Sequence, residues 1–217
     1  IRVRGHPAHR VERNTVLDCD EGISVHSFFD VFYDTSGAKA ATLKQNGIDE
    51  LGPAVVRLNR VVDTLGRGYE LEMTDGTFSR NTANGAGMYG GSGVYLYGHR
   101  NRFDRNSMNN GGGNGFTVYG DMNRFFSDSA IGNEFDGFNI RCGSANRLER
   151  CTASRNMAEG LDNGGYDTHV IRCRFTANRI DLAFDPESCD GPGTFGIYVG
   201  NNVPLSAVLP QELDAEE

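Results

Sequence analysis

Five stretches of this chain open with a glycine followed by an apolar residue. They are Gly68-Tyr69, Gly93-Val94, Gly115-Phe116, Gly137-Phe138 and Gly160-Leu161, spaced 25, 22, 22 and 23 residues apart. A second series keeps pace: the apolar anchors Phe78, Phe103, Phe125, Leu148 and Ile171 recur at 25, 22, 23 and 23 residues. Three of these anchors end the same step, Asn101-Arg102-Phe103, Asn123-Arg124-Phe125 and Asn146-Arg147-Leu148, with looser copies at His9-Arg10-Val11 and His169-Val170-Ile171. A period this steady, with turn residues at fixed offsets, restricts the chain to stacked repeats that bury their apolar sides against one another.

The content of one repeat selects the architecture. From His99 to Asp121 the chain gives an anchor (Phe103), an Asn three residues on (Asn106), a glycine-rich bend, and a short alternating strand. That strand sets Phe116 and Val118 against Thr117 and Tyr119. β-Branched and aromatic residues alternate with polar ones in runs of four or five, and no Leu-x-x-Leu-x-Leu frame is present. The expected fold is an all-β, right-handed parallel β-helix of roughly seven coils of 22–25 residues, one domain over residues 1–210. At about 4.8 Å per strand step the stack is roughly 30–35 Å long. The 29 glycines suit many tight bends.

Residues 27–54 fit no repeat, and a short helix is expected near Ala38 to Gln45. Such an insertion either walls a binding face or covers a weak coil. The acidic tail 211–217 is expected to fray. Ile1 to Gly5 reads as the tail of a repeat strand. N-terminal coils are therefore expected to be missing, leaving an open coil end for the missing segment or another chain to cover.

Asn14, Asn59, Asn81 and Asn106, followed by Asp128 and Cys151, fall at one offset and read as a structural ladder of stacked amides. Of five cysteines, Cys142 reads as a small buried hydrophobe. Cys151 and Cys173 lie in successive coils one place out of phase, which argues against a disulfide between them. The net charge of -8 argues against nonspecific nucleic-acid binding, and no apolar run reaches membrane-spanning length. Arg13, Arg80, Arg105 and Arg150, with Arg10, Arg102, Arg124 and Arg147, form a stripe beside Glu12, Asp104 and Glu149. A self-neutralising ion-pair network is the simpler account of it, a polyanion site the other.

Alternation fixes which side chains of the glycine-initiated strands point outward. The first outward column is Ser24, Glu70, Tyr95, Thr117, Asn139, Asp162 and Asp181. The second is His26, Glu72, Tyr97, Tyr119, Arg141, Gly164 and Ala183. The third is Thr74, His99, Asp121, Gly143, Tyr166 and Asp185. Tyrosines offer flat apolar surface to sugar rings, and arginine binds carboxylates through paired hydrogen bonds. The expected site is a groove for an anionic polysaccharide. His99, Tyr97, Tyr119, Asp121 and Arg141 are its candidate catalytic residues; Tyr95, Glu70, Glu72, Asn139, Asp162 and Tyr166 are its candidate substrate contacts. The alternative is an aromatic ladder that merely stabilises the stack. No cofactor is expected, although Asp162, Asp181 and Asp185 together offer oxygen ligands suited to Ca²⁺.

The Asn-x-apolar steps and Gly-apolar strand starts resemble the right-handed β-helix proteins of the pectate-lyase superfamily. They are most similar to the repeats of alginate (mannuronan) C5-epimerases and NosD-type carbohydrate-binding and sugar-hydrolase modules. The resemblance implies action on a uronate polysaccharide, as an epimerase or lyase, by a secreted or periplasmic protein. The epimerases carry an Asp-Pro-His motif on this sheet; here the nearest string is Asp185-Pro186-Glu187, with Glu in place of His. A non-catalytic glycan-binding or scaffold module is the other reading, since a fold does not choose an activity.

Overall fold

Each coil contributes one strand to each of three parallel sheets in this computed structural model, which describes residues 1–5, 9–27, 52–184 and 198–199. Two sheets have eight strands and the third has seven, giving an all-β solenoid of about seven coils. Sheet A holds the glycine-initiated strands, among them Ile23–Ser27, Tyr69–Glu72, Val94–Tyr97, Phe116–Tyr119, Phe138–Cys142 and Glu159–Asn163. Sheet B holds the strands after the Asn-Arg steps, such as Arg102–Asp104, Arg124–Phe126 and Arg147–Glu149. Sheet C follows one corner later, as in Ser107–Asn109 and Ser129–Ile131. The expected insertion helix lies outside the described residues, as does the acidic tail. No helix among the described residues is long and apolar enough to cross a membrane.

Period and alternation place the core. In sheet B the inward file runs Val11, Val56, Phe78, Phe103, Phe125, Leu148 and Val170. In sheet A, Val94, Phe116, Phe138, Leu161 and Leu182 are in register. The aromatic members stack along the axis, Phe103 on Phe125 with ring centroids 4.6 Å apart and Phe116 on Phe138 at 4.7 Å. The last expected anchor shifts by one, because Leu148 pairs with Val170 and leaves Ile171 on the outer face. Glycine opens the sheet A strands because that corner has no room for a side chain. A Cβ on Gly137 would lie 2.5 Å from Ala153 Cβ and 2.7 Å from the Gly160 carbonyl.

The corners show how a non-glycine chain turns between sheets. The residue before each rung of the first asparagine ladder is left-handed. Arg13, Leu58, Arg80, Arg105, Ser127, Arg150 and Arg172 have φ between 52° and 58°. Such a conformation costs a non-glycine residue on the order of 1–2 kcal/mol. The following amide offsets it. Asn106 Oδ1 accepts from the Asn81 backbone N (2.9 Å), while its Nδ2 donates to the Phe78 carbonyl (2.9 Å) and Asp128 Oδ1 (2.8 Å). The same bonding joins Asn14, Asn59 and Asn81. Two further ladders, Asn101–Asn123–Asn146 and Asn133–Asn156–Asn178, serve the other corners.

Cysteine and charge need corrections. Cys173 stands in phase with Cys151 in the ladder, its Sγ accepting from the Cys151 backbone N at 3.3 Å, and both thiols are free. Cys142 is half-buried and disulfide-bonded rather than a buried free hydrophobe. The arginine stripe divides in two: Arg13, Arg80, Arg105 and Arg150 sit at the left-handed corner, Arg10, Arg102, Arg124 and Arg147 on sheet B. Asp128 replaces an amide inside the first ladder. Burial pushes its carboxyl up to about 8, and its Oδ2 has no partner among the described residues.

Candidate functional site

The outward columns of sheet A hold over most of their length. Strand pairing aligns Ser24, Glu70, Tyr95, Thr117, Asn139 and Asp162. Asp162 then meets Ala183, so Asp181 stands outside this column. The second column runs His26, Glu72, Tyr97 and Tyr119. A bulge there pairs Tyr119 with Cys142 and leaves Arg141 as the extra, exposed residue. Bulges re-aim side chains, and this one turns Arg141 into a cleft shared with Tyr119. In the third column the shift substitutes Ser144 for Gly143: its backbone N donates to Asp121 Oδ1 at 2.6 Å, and it bridges to Tyr166.

The cleft has a volume of about 740 Å³ and is bordered by Tyr95, Tyr119 and Arg141 together with Arg67, Tyr89, Ser92, Asn114 and Thr117. Tyr95 and Tyr119 lie with ring centroids 5.5 Å apart, and the Arg67 guanidinium stacks 3.8 Å from the Tyr95 ring centre. Burial and the neighbouring Tyr119 hold the Tyr95 phenol above its ordinary range. Tyr89 is 81 % exposed and overhangs the rim. It stands there because its coil has 25 residues. Gly87, Met88 and Tyr89 bond back to Thr64 and Leu65, and Gly90 closes a turn onto Gly87. Gly87 and Gly90 supply the positive φ the turn needs.

The residues just before each strand glycine form a column that the alternation argument misses: Arg67, Ser92, Asn114, Asp136 and Glu159. Their fixed offset in the repeat was the available signal. Asn114 Oδ1 accepts from the Asp136 backbone N at 3.0 Å, and Asn114 Nδ2 donates to Thr117 Oγ1 at 3.0 Å. One rung on, Asn139 Nδ2 donates to Asp136 Oδ2 (2.6 Å) and Asp162 Oδ2 (3.0 Å). The hydrogen bond between the Asp136 and Glu159 carboxyls, reinforced by burial, pushes Glu159 up to about 7. Beyond the cleft floor, the face therefore carries a pair of adjoining carboxyl groups.

Three predicted residues meet in the cleft: Tyr95, Tyr119 and Arg141. Tyr97 lies beside it, its ring 6.4 Å from that of Tyr119. His99 and Asp121 form a separate pair at the far end of the strands, four residues or about 13 Å beyond Tyr95. His99 Nδ1 lies 2.8 Å from the Asp121 backbone N and 3.1 Å from Asp121 Oδ2. Glu70 and Glu72 belong to a third group: Ser24 Oγ lies 2.7 Å from His26 Nε2, whose Nδ1 bonds Glu72, while Arg67 pairs with Glu70. Among the described residues no cluster of three or more His, Cys, Asp or Glu side chains could hold a metal ion, and Asp185 lies outside them.

Three parallel sheets closed by asparagine corners, with an aromatic and arginine-lined cleft on one wall, define a parallel β-solenoid. The chain belongs to the right handed beta helix region family, whose model matches residues 70–207. Comparison with curated proteins gives no match, and neither does comparison with solved structures.

Proposed function

We propose that this β-helix protein binds an anionic polysaccharide in the sheet A cleft and acts on its uronate units by abstracting the C5 proton, as an epimerase or a lyase. The observation that carries this reading is the tyrosine pair Tyr95–Tyr119 set between two guanidinium groups, Arg67 and Arg141, in one open cleft. The phenol rings receive a sugar face, and Arg141 takes the carboxylate. Neutralising that carboxylate acidifies the adjacent C5–H and stabilises the charge that develops as the proton leaves. Tyr119, which borders the cleft together with Arg141, is the group placed to take that proton. Tyr95, held protonated, suits the donor role. Return of a proton to the opposite face of C5 inverts that carbon. Expulsion of the C4 glycosidic oxygen instead, with formation of the C4–C5 double bond, cleaves the chain.

His99 and Asp121 then position the far end of the strands, while Asp162 and Tyr166 line the continuation of the face over Asn139, which is buried. A protein working on such polymers belongs outside the cytoplasm, secreted or periplasmic, and the disulfide at Cys142 supports an oxidising compartment. Incubation with a panel of uronate polymers tests the reading. Unsaturated ends absorbing in the ultraviolet identify a lyase, and solvent-proton exchange at C5 identifies an epimerase. Binding without either reaction identifies a glycan-binding module, and the absence of binding removes the proposal. Dialysis against EDTA is expected to leave binding intact. A loss restored by calcium would move carboxylate capture to the acids around Asp162.

A further inference from the structure

Sheet B carries a feature that the sheet A cleft does not use. On its outer face Arg102, Arg124 and Arg147 stand directly opposite one another on three successive strands, about 4.8 Å apart per step. Like charges so placed destabilise a sheet. One acid in the file would remove that cost, yet the strand positions hold none. Arg147 reaches sideways to Glu149 at 3.0 Å, whereas Arg102 and Arg124 form no ion pair among the described residues. On sheet B the expected self-neutralising network therefore leaves these two guanidinium groups over among the described residues.

Beside this file runs a furrow of about 270 Å³ bordered by Arg102, Arg124, Arg147, Phe126 and Glu149. Phe126 is the unusual member. Its column carries Asp104 on one side and Glu149 on the other, and an aromatic ring half-exposed between two acids covers no core. The Arg150 guanidinium lies 5.5 Å from its ring centre. A flat ring edged by cations is what a sugar bearing a carboxylate requires. The flanking acids confine the positive charge to a single file, which fits a linear polymer with one anionic group per unit better than a nucleic-acid duplex seeking a broad basic field.

We propose that this furrow is a second carbohydrate site. A carboxylated polysaccharide lies along the solenoid axis, with successive carboxylates held by Arg102 and Arg124 and a sugar face resting on Phe126. The site stands on a different wall from the sheet A cleft and does not depend on its assignment.

Calorimetry of the whole chain with a short oligogalacturonide tests it. Wild type is expected to bind at two sites, and R102A/R124A to lose one of them or weaken it about tenfold, with a shallower dependence on salt. R141A reports separately on sheet A, so failure there leaves the sheet B result standing. Unchanged binding and salt dependence in R102A/R124A overturn the proposal. So does displacement of the sugar from wild type, but not from the variant, by an equal concentration of single-stranded oligonucleotide. Without ligand, R102A/R124A is expected to melt at or above wild type because repulsion has been relieved. A lower melting temperature would make the two arginines structural and also overturn the site.

Discussion

At the corner between sheets B and C the same amide recurs from Asn14 to Asn106, each accepting from the rung before it and bonding the rung after. Along the outer wall of sheet A, successive rungs carry Ser24, Glu70, Tyr95, Thr117, Asn139 and Asp162. Both files are cut from the same repeat and have the same spacing. From Asn14 to Asn106 the first keeps one residue type because each of those coils has the same carbonyl and amide to satisfy there. The second is free of that demand, so its residues can follow a ligand. In a solenoid, monotony marks a backbone requirement and variation marks a wall facing outward.

Four tests sharpen or break that contrast. The core anchor comes first: Phe116→Ala empties a ring stacked on Phe138 and edge-on to Phe125. It is expected to cost about 3–5 kcal/mol in urea unfolding. Next, Asn106→Ala strands the Asn81 N–H and the Phe78 carbonyl, at about 2–4 kcal/mol; a loss below about 1 kcal/mol would mean that the ladder is decorative.

Third, Asp128→Asn restores the amide. The Asp128 carboxyl sits far above its unfolded range, so the native state holds a proton that the unfolded state has released. Its contribution is therefore full below about pH 4 and drains away as pH rises toward 8. Unfolding free energies at pH 5 and pH 8 are expected to show wild type losing on the order of 2 kcal/mol more than the variant. Parallel pH profiles would refute the assignment.

Last, Tyr119→Phe and Arg141→Ala on the wall are expected to change stability by less than about 0.5 kcal/mol. They should nonetheless reduce uronate binding or turnover at least tenfold. Wild-type activity in both would place the chemistry elsewhere.

Much of this was legible in the chain. The period gave the fold and the inward files through Leu148. Alternation gave the first outward column as far as Asp162 and the second as far as Tyr119, and one of three amide ladders was visible because it begins early and repeats. What escaped has a common cause: one residue more or less within a coil. The interval from Gly137 to Gly160 shows that its coil has an extra residue, but not that the residue is a bulge at Arg141. The 25-residue coil signals an excess without saying that Tyr89 will overhang a cleft. Val170 replaces Ile171 as anchor for the same reason. The pre-glycine column, with Asp136 and Glu159, was missed because strand alternation does not reach past the glycine into the corner.

The close fit of one glycine carbonyl over the next, seen where Gly137 meets Gly160, makes consecutive turns of the chain interchangeable modules. A gene duplication that copied one whole turn would slot in without disturbing the packing above or below. It would lengthen the outer walls of sheets A and B by one step, so the length of each wall can grow in fixed increments of one strand spacing.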